Sequence, residues 1–307
     1  MRLSRKQHRR VREAGIALIS VLWVLLLVST LAATTVYISR ENALLVRRAA
    51  DFAQAQSAAD AAIVSTLSNL SDEQASRHNP TDGSVQSWQF NGIDVAISVT
   101  NEAGRIDVNA GHDDLIYAFL RSQGITEDDS RTLLGDLRQW QRGGDVQTGA
   151  GTLPITNVAG LGGPGTKHPL LSTDEFAQIP GWKSQPLGCW SDAFTVYTAS
   201  ASANSVYAED MDLAALNWAD EHHLGDRIWV HSGSASAWTN GSKSLSGEIL
   251  RIVAQAKLSD TVSARVEWVG RLTGNSNSPA LTMRWSHGTK DHSDACPAPL
   301  TRTKSGR

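Results

Sequence analysis

Histidines and carboxylates that could bind a metal ion occur together at one place in the sequence. Asp220, Glu221, His222 and His223 are consecutive, and His231 follows them. Adjacent residues on a helix point about 100° apart, so His222 and His223 cannot readily share one ion, and no HExxH spacing is present. We therefore predict surface histidines at a helix end. The sequence also contains no nucleophile elbow, no phosphate-binding glycine loop and no CxxC pair, so nothing in it indicates an enzyme.

The chain has two cysteines, Cys189 and Cys296. In an oxidising compartment an even pair is most simply one disulfide, and closing a loop of about a hundred residues would contribute on the order of 4 kcal/mol. The alternative is two unpaired thiols. It stays open because Cys296 belongs to a polar C-terminal region, residues 289–307, that we predict to be a disordered tail.

The helix that must position everything else begins with a membrane span. Residues 15–38 contain no ionised side chain, and a helix of that length reaches roughly 35 Å, enough to cross a hydrocarbon core of ~30 Å. The preceding residues are strongly basic, with only Glu13 as a counterweight, which predicts a cytoplasmic N-terminus. The formal net charge is -3, so the residues beyond the leader are acidic, which argues against nucleic-acid binding.

The boundary between the basic leader and the apolar run carries a processing signal. Gly15 stands directly before Ile16-Ala17-Leu18-Ile19, and this arrangement resembles the prepilin-peptidase site of type IV pilins and type II secretion pseudopilins. The resemblance implies a leader of residues 1–15, cleavage between Gly15 and Ile16, and N-methylation of Ile16. A signal-peptide cut near Ala32 and an uncleaved signal anchor are the alternatives.

After a membrane span at residues 16–38, the helical pattern continues over residues 39–72. Leu45, Phe52 and Ala59 recur every seven residues, and frequent alanines allow partner helices to approach closely. Such a helix fits a bundle, a coiled coil or the stem of a pilin.

Strand patterns follow the helix. Asn91-Gly92 is the strongest short hairpin signal, and alternating residues flank it from Val85 to Thr100. Strand patterns return around residues 194–198, 249–256, 262–268 and 281–285, and we expect all of them to complete the sheet that the hairpin begins. Asp210 to His222 predicts a helix capped by Asp210 or Asp212.

Between these two groups of strands the sequence is helical. The run NEAGRIDVNA (residues 101–110) precedes LLGDLRQWQ (residues 133–141) and STDEFAQIPG (residues 172–181). In this order the three phrases resemble general secretion pathway protein K, the large minor pseudopilin of type II secretion. A helix-hairpin-helix DNA-binding module fits the same region superficially, but its turn at Gly124 is followed by Glu127, Asp128 and Asp129, which would repel phosphate.

The resemblance implies an α+β fold: a long N-terminal helix packed on an antiparallel sheet, with an inserted all-α domain. The pilin-like head would comprise residues 85–109 and 187–288, and the insert residues 110–186. The implied partners are the minor pseudopilins of types I, J and H, the major pseudopilin, the prepilin peptidase and the inner membrane, and contact with secreted proteins stays open. The other function that we consider is a periplasmic binding or enzymatic domain on an uncleaved signal anchor.

Calcium is the one cofactor that the resemblance leaves open. Members of the family often carry several carboxylates after the position of Trp140, whereas this chain has Asp145 alone. Calcium takes six to eight oxygen ligands, so Asp145 is a candidate but not a predicted site. Asp128, Asp129 and Asp136 are predicted to lie on solvated helix faces and in an N-terminal helical turn.

Position 5 of the mature chain departs from the pattern of major pilins and pseudopilins. Counted from Ile16 this position is Ser20, where those proteins have a Glu that, as the family is understood, pairs with the terminal amine of a neighbouring subunit. A serine hydroxyl can bond to a helix carbonyl and needs no charged partner. The resemblance therefore implies a subunit at the tip of the pseudopilus, where none lies above it.

Overall fold

The computed structural model describes residues 5–72, 81–142, 146–148, 151–153, 169–224, 245–275 and 278–288. In chain order the elements of these residues are α1 (Arg5–Ser71), β1 (Gln86–Phe90), β2 (Ile93–Asn101), β3 (Ile106–Asp107), α2 (Asp113–Ser122), α3 (Glu127–Gln141), β4 (Val146–Thr148), β5 (Gly151–Leu153), α4 (Leu187–Trp190), β6 (Phe194–Thr195), α5 (Asp210–Glu221), β7 (Ile249–Ser259), β8 (Val262–Asn275) and β9 (Ser278–Gly288). The predicted α+β class is confirmed.

Helix α1 is continuous over 67 residues. No glycine or proline interrupts it beyond Gly15, and its apolar part is long enough to cross a membrane. Residues 18–54 are exposed throughout, and burial begins at Ala55. We call residues 18–54 the bare segment of α1 and residues 55–71 its packed segment.

The packed segment lies on a five-stranded antiparallel sheet with the order β1-β2-β7-β8-β9. Asn91 and Gly92 both have positive φ, 50° and 80°, which the two-residue turn between β1 and β2 requires, so the predicted hairpin is confirmed. Along β2 every second side chain is buried, and these side chains form one core with the alanines of α1 and the inner residues of β7 and β8. The small alanine side chains bring the helix backbone close to the sheet.

The remaining described elements form a second unit between β2 and β7, which are neighbours in the sheet. We call this the inserted unit. Its core is rich in aromatic rings: Phe119, Phe176, Trp182, Trp190 and Phe194 are all nearly or fully buried and contact one another. The core begins at Ile106 and ends at Ala219, so the packing extends past the predicted insert limits at residues 110 and 186.

The expectation for the strand near residue 194 is wrong. β6 contains only Phe194 and Thr195, and it pairs in parallel with β3 rather than joining the main sheet. Both of its residues are fully buried, because β6 lies inside the core of the inserted unit, where no face is open to solvent.

The capping prediction for α5 is also wrong. The helix has the predicted limits to within one residue, but Glu209 occupies the N-cap position and makes no side-chain cap bond. Asp212 lies in the first turn and is buried, so its carboxylate faces the protein rather than the free N–H groups of the helix end.

Candidate assembly surface

The bare segment of α1 has the chemistry of a surface that other molecules must cover. Its large apolar side chains are more than half exposed over most of its length, with Leu18 at 71% and Leu45 at 60%. At about 1.5 Å per residue the segment is roughly 55 Å long, whereas a bilayer core covers ~30 Å. A membrane can therefore cover residues 18–38, and the exposed apolar side chains of residues 39–54, Leu44, Leu45 and Val46 among them, lie beyond it.

The predicted processing residues lie at the start of this helix. Gly15 and Ile16 fall within the residue range of α1, and Ser20 is exposed on the bare segment. Their roles in cleavage, methylation and subunit pairing stay predictions.

The heptad residues identified from the sequence divide between the two segments. Leu45 and Phe52 lie on the bare segment and are 60% and 37% exposed, whereas Ala59 is fully buried on the sheet. The same repeat therefore passes from a surface without a partner in the described residues to a surface that the sheet covers.

Asp60 fixes the far edge of the sheet to the packed segment. Its Oδ1 accepts hydrogen bonds from Trp285 Nε1 at 3.0 Å, and His287 Nε2 lies 3.1 Å away. Both partners are on β9, the edge strand. This contact links the packed segment of α1 to a strand that is distant in sequence.

The inserted unit leaves the sheet at the end farther from the bare segment. Asn91, in the hairpin turn, lines a small depression with Ala53, where α1 first reaches the sheet. β2 runs away from that turn, and near its other end Thr100 pairs with Asp82, which follows the C-terminal end of α1. The inserted unit begins immediately after β2, and so lies at the end of the head opposite the membrane-sized apolar helix.

A buried ion-pair cluster joins the inserted unit to the sheet. Glu102 is fully buried, and its Oε1 accepts a hydrogen bond from Arg251 Nε of β7 at 2.6 Å. Thr195 Oγ1 of β6 donates to the second carboxylate oxygen, and Arg105 Nε lies 3.3 Å from Oε1. We call these four residues the junction.

The junction keeps Glu102 ionised. Burial alone would raise the pKa of Glu102, but the guanidinium groups of Arg251 and Arg105, with the hydrogen bonds from Arg251 and Thr195, outweigh it and lower the pKa below its usual value. The carboxylate of Glu102 in turn stabilises the charged form of Arg251. The pKa of Arg251 is therefore raised, although burial alone would lower it. Removing either partner would leave a buried charge.

The phrase NEAGRIDVNA supplies Glu102 and Arg105 of the junction and further hydrogen bonds around it. Asn101 accepts from the N–H of Ala103 and donates to Glu248, while Asp107 accepts from the N–H groups of Asn109 and Ala110 and from Thr198. Asn109 pairs its side-chain amide with both backbone groups of Leu170. The polar residues of the phrase therefore fold and orient the inserted unit.

Among the described residues, Asp212 is a buried carboxylate beside the junction that lacks such hydrogen bonds. It is 1% exposed, and neither of its oxygens has a hydrogen-bond partner within the described residues. Burial raises the pKa of Asp212 well above its usual value. Arg105 opposes this shift, and the carboxylates of Glu209, Glu102 and Asp192 add to it.

Sequence reasoning missed Arg251, Thr195 and Asp212. Arg251 and Thr195 reach Glu102 across 149 and 93 residues, and neither position carries a local signal for this contact. The acidic residue Asp212 in a first helical turn resembles a cap in sequence, and only the packing shows that it is buried.

The candidate metal residues do not form a cluster where they are described. His222 lies at the predicted helix end. Its ring stacks on that of Trp218, with 3.8 Å between the ring centroids, and its Nδ1 forms a hydrogen bond with the backbone carbonyl of Trp218. Asp128 and Asp129 lie in the first turn of α3 as predicted. Within the described ranges no three histidine, cysteine or carboxylate side chains are placed to hold an ion. Asp145, His231 and Cys296 lie outside the described residues, so calcium binding stays open and the disulfide stays a prediction.

Comparison with known proteins finds similarity among solved structures. No protein-family model and no curated protein matches the chain. Among solved structures, it is similar to a chain of the crystal structure of the GspK-GspI-GspJ complex from the type 2 secretion system of enterotoxigenic Escherichia coli. The TM-score is 0.48 and the identity 9%, over 83% of this chain and 99% of that chain.

Proposed function

We propose that this chain is a minor pseudopilin of the type II secretion system, located at the tip of the periplasmic pseudopilus. The observation that carries the proposal is the division of α1. One continuous helix begins with a prepilin-like Gly15-Ile16 boundary, leaves residues 18–54 bare, and ends packed on its own sheet. A pilin-like stem needs this division, because the membrane and neighbouring subunits cover its first part while its own sheet covers the rest.

In the proposed function the bare segment first anchors the chain in the inner membrane. The basic leader holds the N-terminus in the cytoplasm, so the sheet and the inserted unit lie in the periplasm. Prepilin peptidase then cuts after Gly15 and methylates Ile16. The helix stays attached and packs beside the stems of other subunits through residues 39–54.

Two features support a position at the tip. Ser20 replaces the carboxylate that would require the amine of a neighbouring subunit. The inserted unit lies at the end of the head opposite the bare segment, where it would obstruct addition of a further subunit. In this position the chain would initiate assembly with the minor pseudopilins of types I, J and H, precede the major pseudopilin, and support export of folded proteins.

A substitution at the cut tests the assignment to this class of protein. Gly15→Leu adds bulk to the residue that the peptidase must accept in a confined site, so we expect an unprocessed precursor that inserts in the membrane but does not enter the pseudopilus. Ala33→Leu adds similar bulk deeper in the membrane span and should be processed normally. Normal processing and secretion with Gly15→Leu would overturn the assignment.

A second substitution tests the position at the tip. If no subunit lies above the chain, Ser20→Glu gains no partner, and the variant should be neutral or assemble less well. Ser29→Glu in the same span measures the general cost of a carboxylate in the membrane. Abundant incorporation of Ser20→Glu along the shaft, or crosslinks from the wild-type chain to subunits on both sides, would contradict the tip position.

A further inference from the structure

The five-stranded sheet ends in two edge strands, β1 and β9, which differ in how they are protected against pairing with another chain. In β9, Met283 is an extra residue opposite the step from Val269 to Gly270, so the strand has a bulge. It also carries Pro279 and Arg284. Bulges, prolines and charged side chains all discourage the addition of a further strand at an edge. β9 is therefore a poor docking edge.

β1 carries none of these devices. Its five residues, QSWQF, include no charge and no proline, and its register with β2 runs without a shift. Phe90 and Ile93 flank the two-residue turn and form the hydrogen-bonded pair that closes such a hairpin, and pairs of this kind alternate along antiparallel strands. The backbone N–H and C=O groups of Ser87 and Gln89 therefore point away from β2, where no described strand lies.

Depressions lie on both sides of this edge. On the helix side, Phe90, Ala53 and Ser57 help to line one of about 270 Å³, and Phe90 is 37% exposed there. On the outer face, Ser87 and Lys257 help to line a second of about 560 Å³. Successive side chains of a strand point to opposite faces, so a strand added at β1 would place them alternately in the two depressions.

A second copy of this chain does not fit the edge through its own β1. Two identical strands that pair about a two-fold axis are antiparallel. β1 runs toward the end of the head at which the bare segment meets the sheet. Such a pairing would point the two bare segments in opposite directions, whereas chains anchored in one membrane must point them the same way.

The edge continues the surface that we assign to neighbouring subunits. Ala53 and Gln54 line the helix-side depression and are the last residues of the bare segment. The depression therefore joins the exposed helix at residues 39–54 to the edge of the sheet. A subunit whose stem packs along these residues comes directly against β1.

We propose that the edge of β1 binds an extended segment of the minor pseudopilin whose stem packs beside the bare segment, so that the sheet continues into this neighbour. The backbone of the segment pairs with Ser87 and Gln89, with an apolar side chain over Phe90 and a polar one toward Lys257. The inference rests on the proposed function and identifies a contact in the head for the same neighbour.

The test uses the full-length chain, coexpressed with the minor pseudopilins of types H, I and J and purified in detergent. Ser87→Pro removes an N–H that points away from β2 and places a ring where the added strand would lie. An edge strand tolerates proline at such a position, so the head should fold. We expect about tenfold less of the bound pseudopilin to copurify. Ser87→Thr keeps the N–H and is the matched control, with unchanged copurification.

Hydrogen exchange on the wild-type chain gives a second measurement that needs no variant. The amides of Ser87 and Gln89 should exchange several-fold more slowly in the complex than in the chain alone, because the added strand accepts their hydrogen bonds. Exchange on residues 278–288, the blunted edge, should stay the same. If Ser87→Pro lowers the unfolding midpoint of the head, this measurement decides.

Unchanged exchange at β1 in the complex, or equal copurification with the Ser87→Pro and Ser87→Thr variants, would overturn the inference and leave the proposed function standing. Slow exchange at β1 that depends on the concentration of the chain alone would identify a second copy as the occupant and would also overturn it. If the wild-type chain forms no complex with any of the three pseudopilins, the inference fails together with the proposed function.

Discussion

The two segments of α1 belong to one helix but have opposite environments. The packed segment buries Ala55, Ala58, Ala59 and Ala62 completely, and its residues are small because a sheet lies directly against them. The bare segment is rich in leucine and valine, and no part of the described chain covers it. Folding therefore covers the packed segment, whereas under the proposed function lipid and other subunits cover the bare segment.

This difference separates two kinds of defect. Changes in the packed segment, the sheet or the junction should lower the free energy of unfolding of the head and leave membrane insertion intact. Changes in the bare segment should leave the head stable and impair assembly. The four predictions below test this separation, from the largest expected effect on stability to the smallest.

Glu102→Gln should destabilise the head most. The substitution leaves Arg251 and Arg105 buried without their shared counter-charge, which costs about 3–5 kcal/mol in comparable buried pairs. Urea denaturation of the full-length chain in detergent, followed by tryptophan fluorescence, measures the loss.

The matched control for this prediction is Glu127→Gln. Glu127 lies 2.6 Å from Arg131, but both side chains are more than half exposed, so the expected loss is about 0.3–0.5 kcal/mol. Equal losses in the two variants would mean that the junction does not hold the units together.

Ala59→Leu should rank second. The side chain is fully buried between α1 and the sheet, and extra methylene groups in a close-packed core cost about 1–3 kcal/mol. The same substitution at Ala50, on the bare segment, should leave the unfolding midpoint unchanged. A similar loss at both positions would remove the distinction between the segments.

Asp212→Asn should change how stability depends on pH. Because burial raises the pKa of Asp212 in the folded chain above the unfolded value of 3.8, the folded state keeps a proton that the unfolded state loses. The stability contribution of this group is therefore full below that value and is lost as pH rises toward the folded pKa. As pH rises from 4 to 8, we expect the free energy of unfolding of the variant to increase relative to that of the wild type. If the two plots of this free energy against pH are parallel, the burial argument is wrong.

Leu45→Ser should have the smallest effect on the head, within about 0.5 kcal/mol, because the side chain is 60% exposed. If the proposed function is right, it should nevertheless weaken copurification with minor pseudopilins, since residues 39–54 lie beyond the predicted span. If the variant lowers the stability of the head but copurifies normally, the claim that the bare segment serves assembly rather than folding is wrong.

The features predicted correctly from the sequence are those with a short-range cause. The turn at Asn91-Gly92 follows from two residues that accept positive φ, and α1 follows from an uninterrupted helical pattern. The first part of strand β8 follows from the alternation of apolar and polar residues over positions 262–268.

The features that the sequence did not predict depend on distant contacts. Thr195 looks like part of an exposed-face alternation, but it lies in a two-residue strand in the core of the inserted unit and donates to Glu102. The role of NEAGRIDVNA could be recognised only as a resemblance. The physical basis of this role is the Glu102 carboxylate held between two arginines. One of them, Arg251, comes from β7, which follows the inserted unit in the chain.

The central claim is that α1 is a pseudopilin stem, and the mass of the mature chain tests it most directly. The full-length protein should be expressed with and without a prepilin peptidase and measured intact by mass spectrometry. We predict loss of residues 1–15 and one added methyl group on Ile16 only when the peptidase is present. An intact N-terminus in both strains, or a cut near Ala32, would contradict the claim and favour a periplasmic domain on a simple anchor or signal peptide.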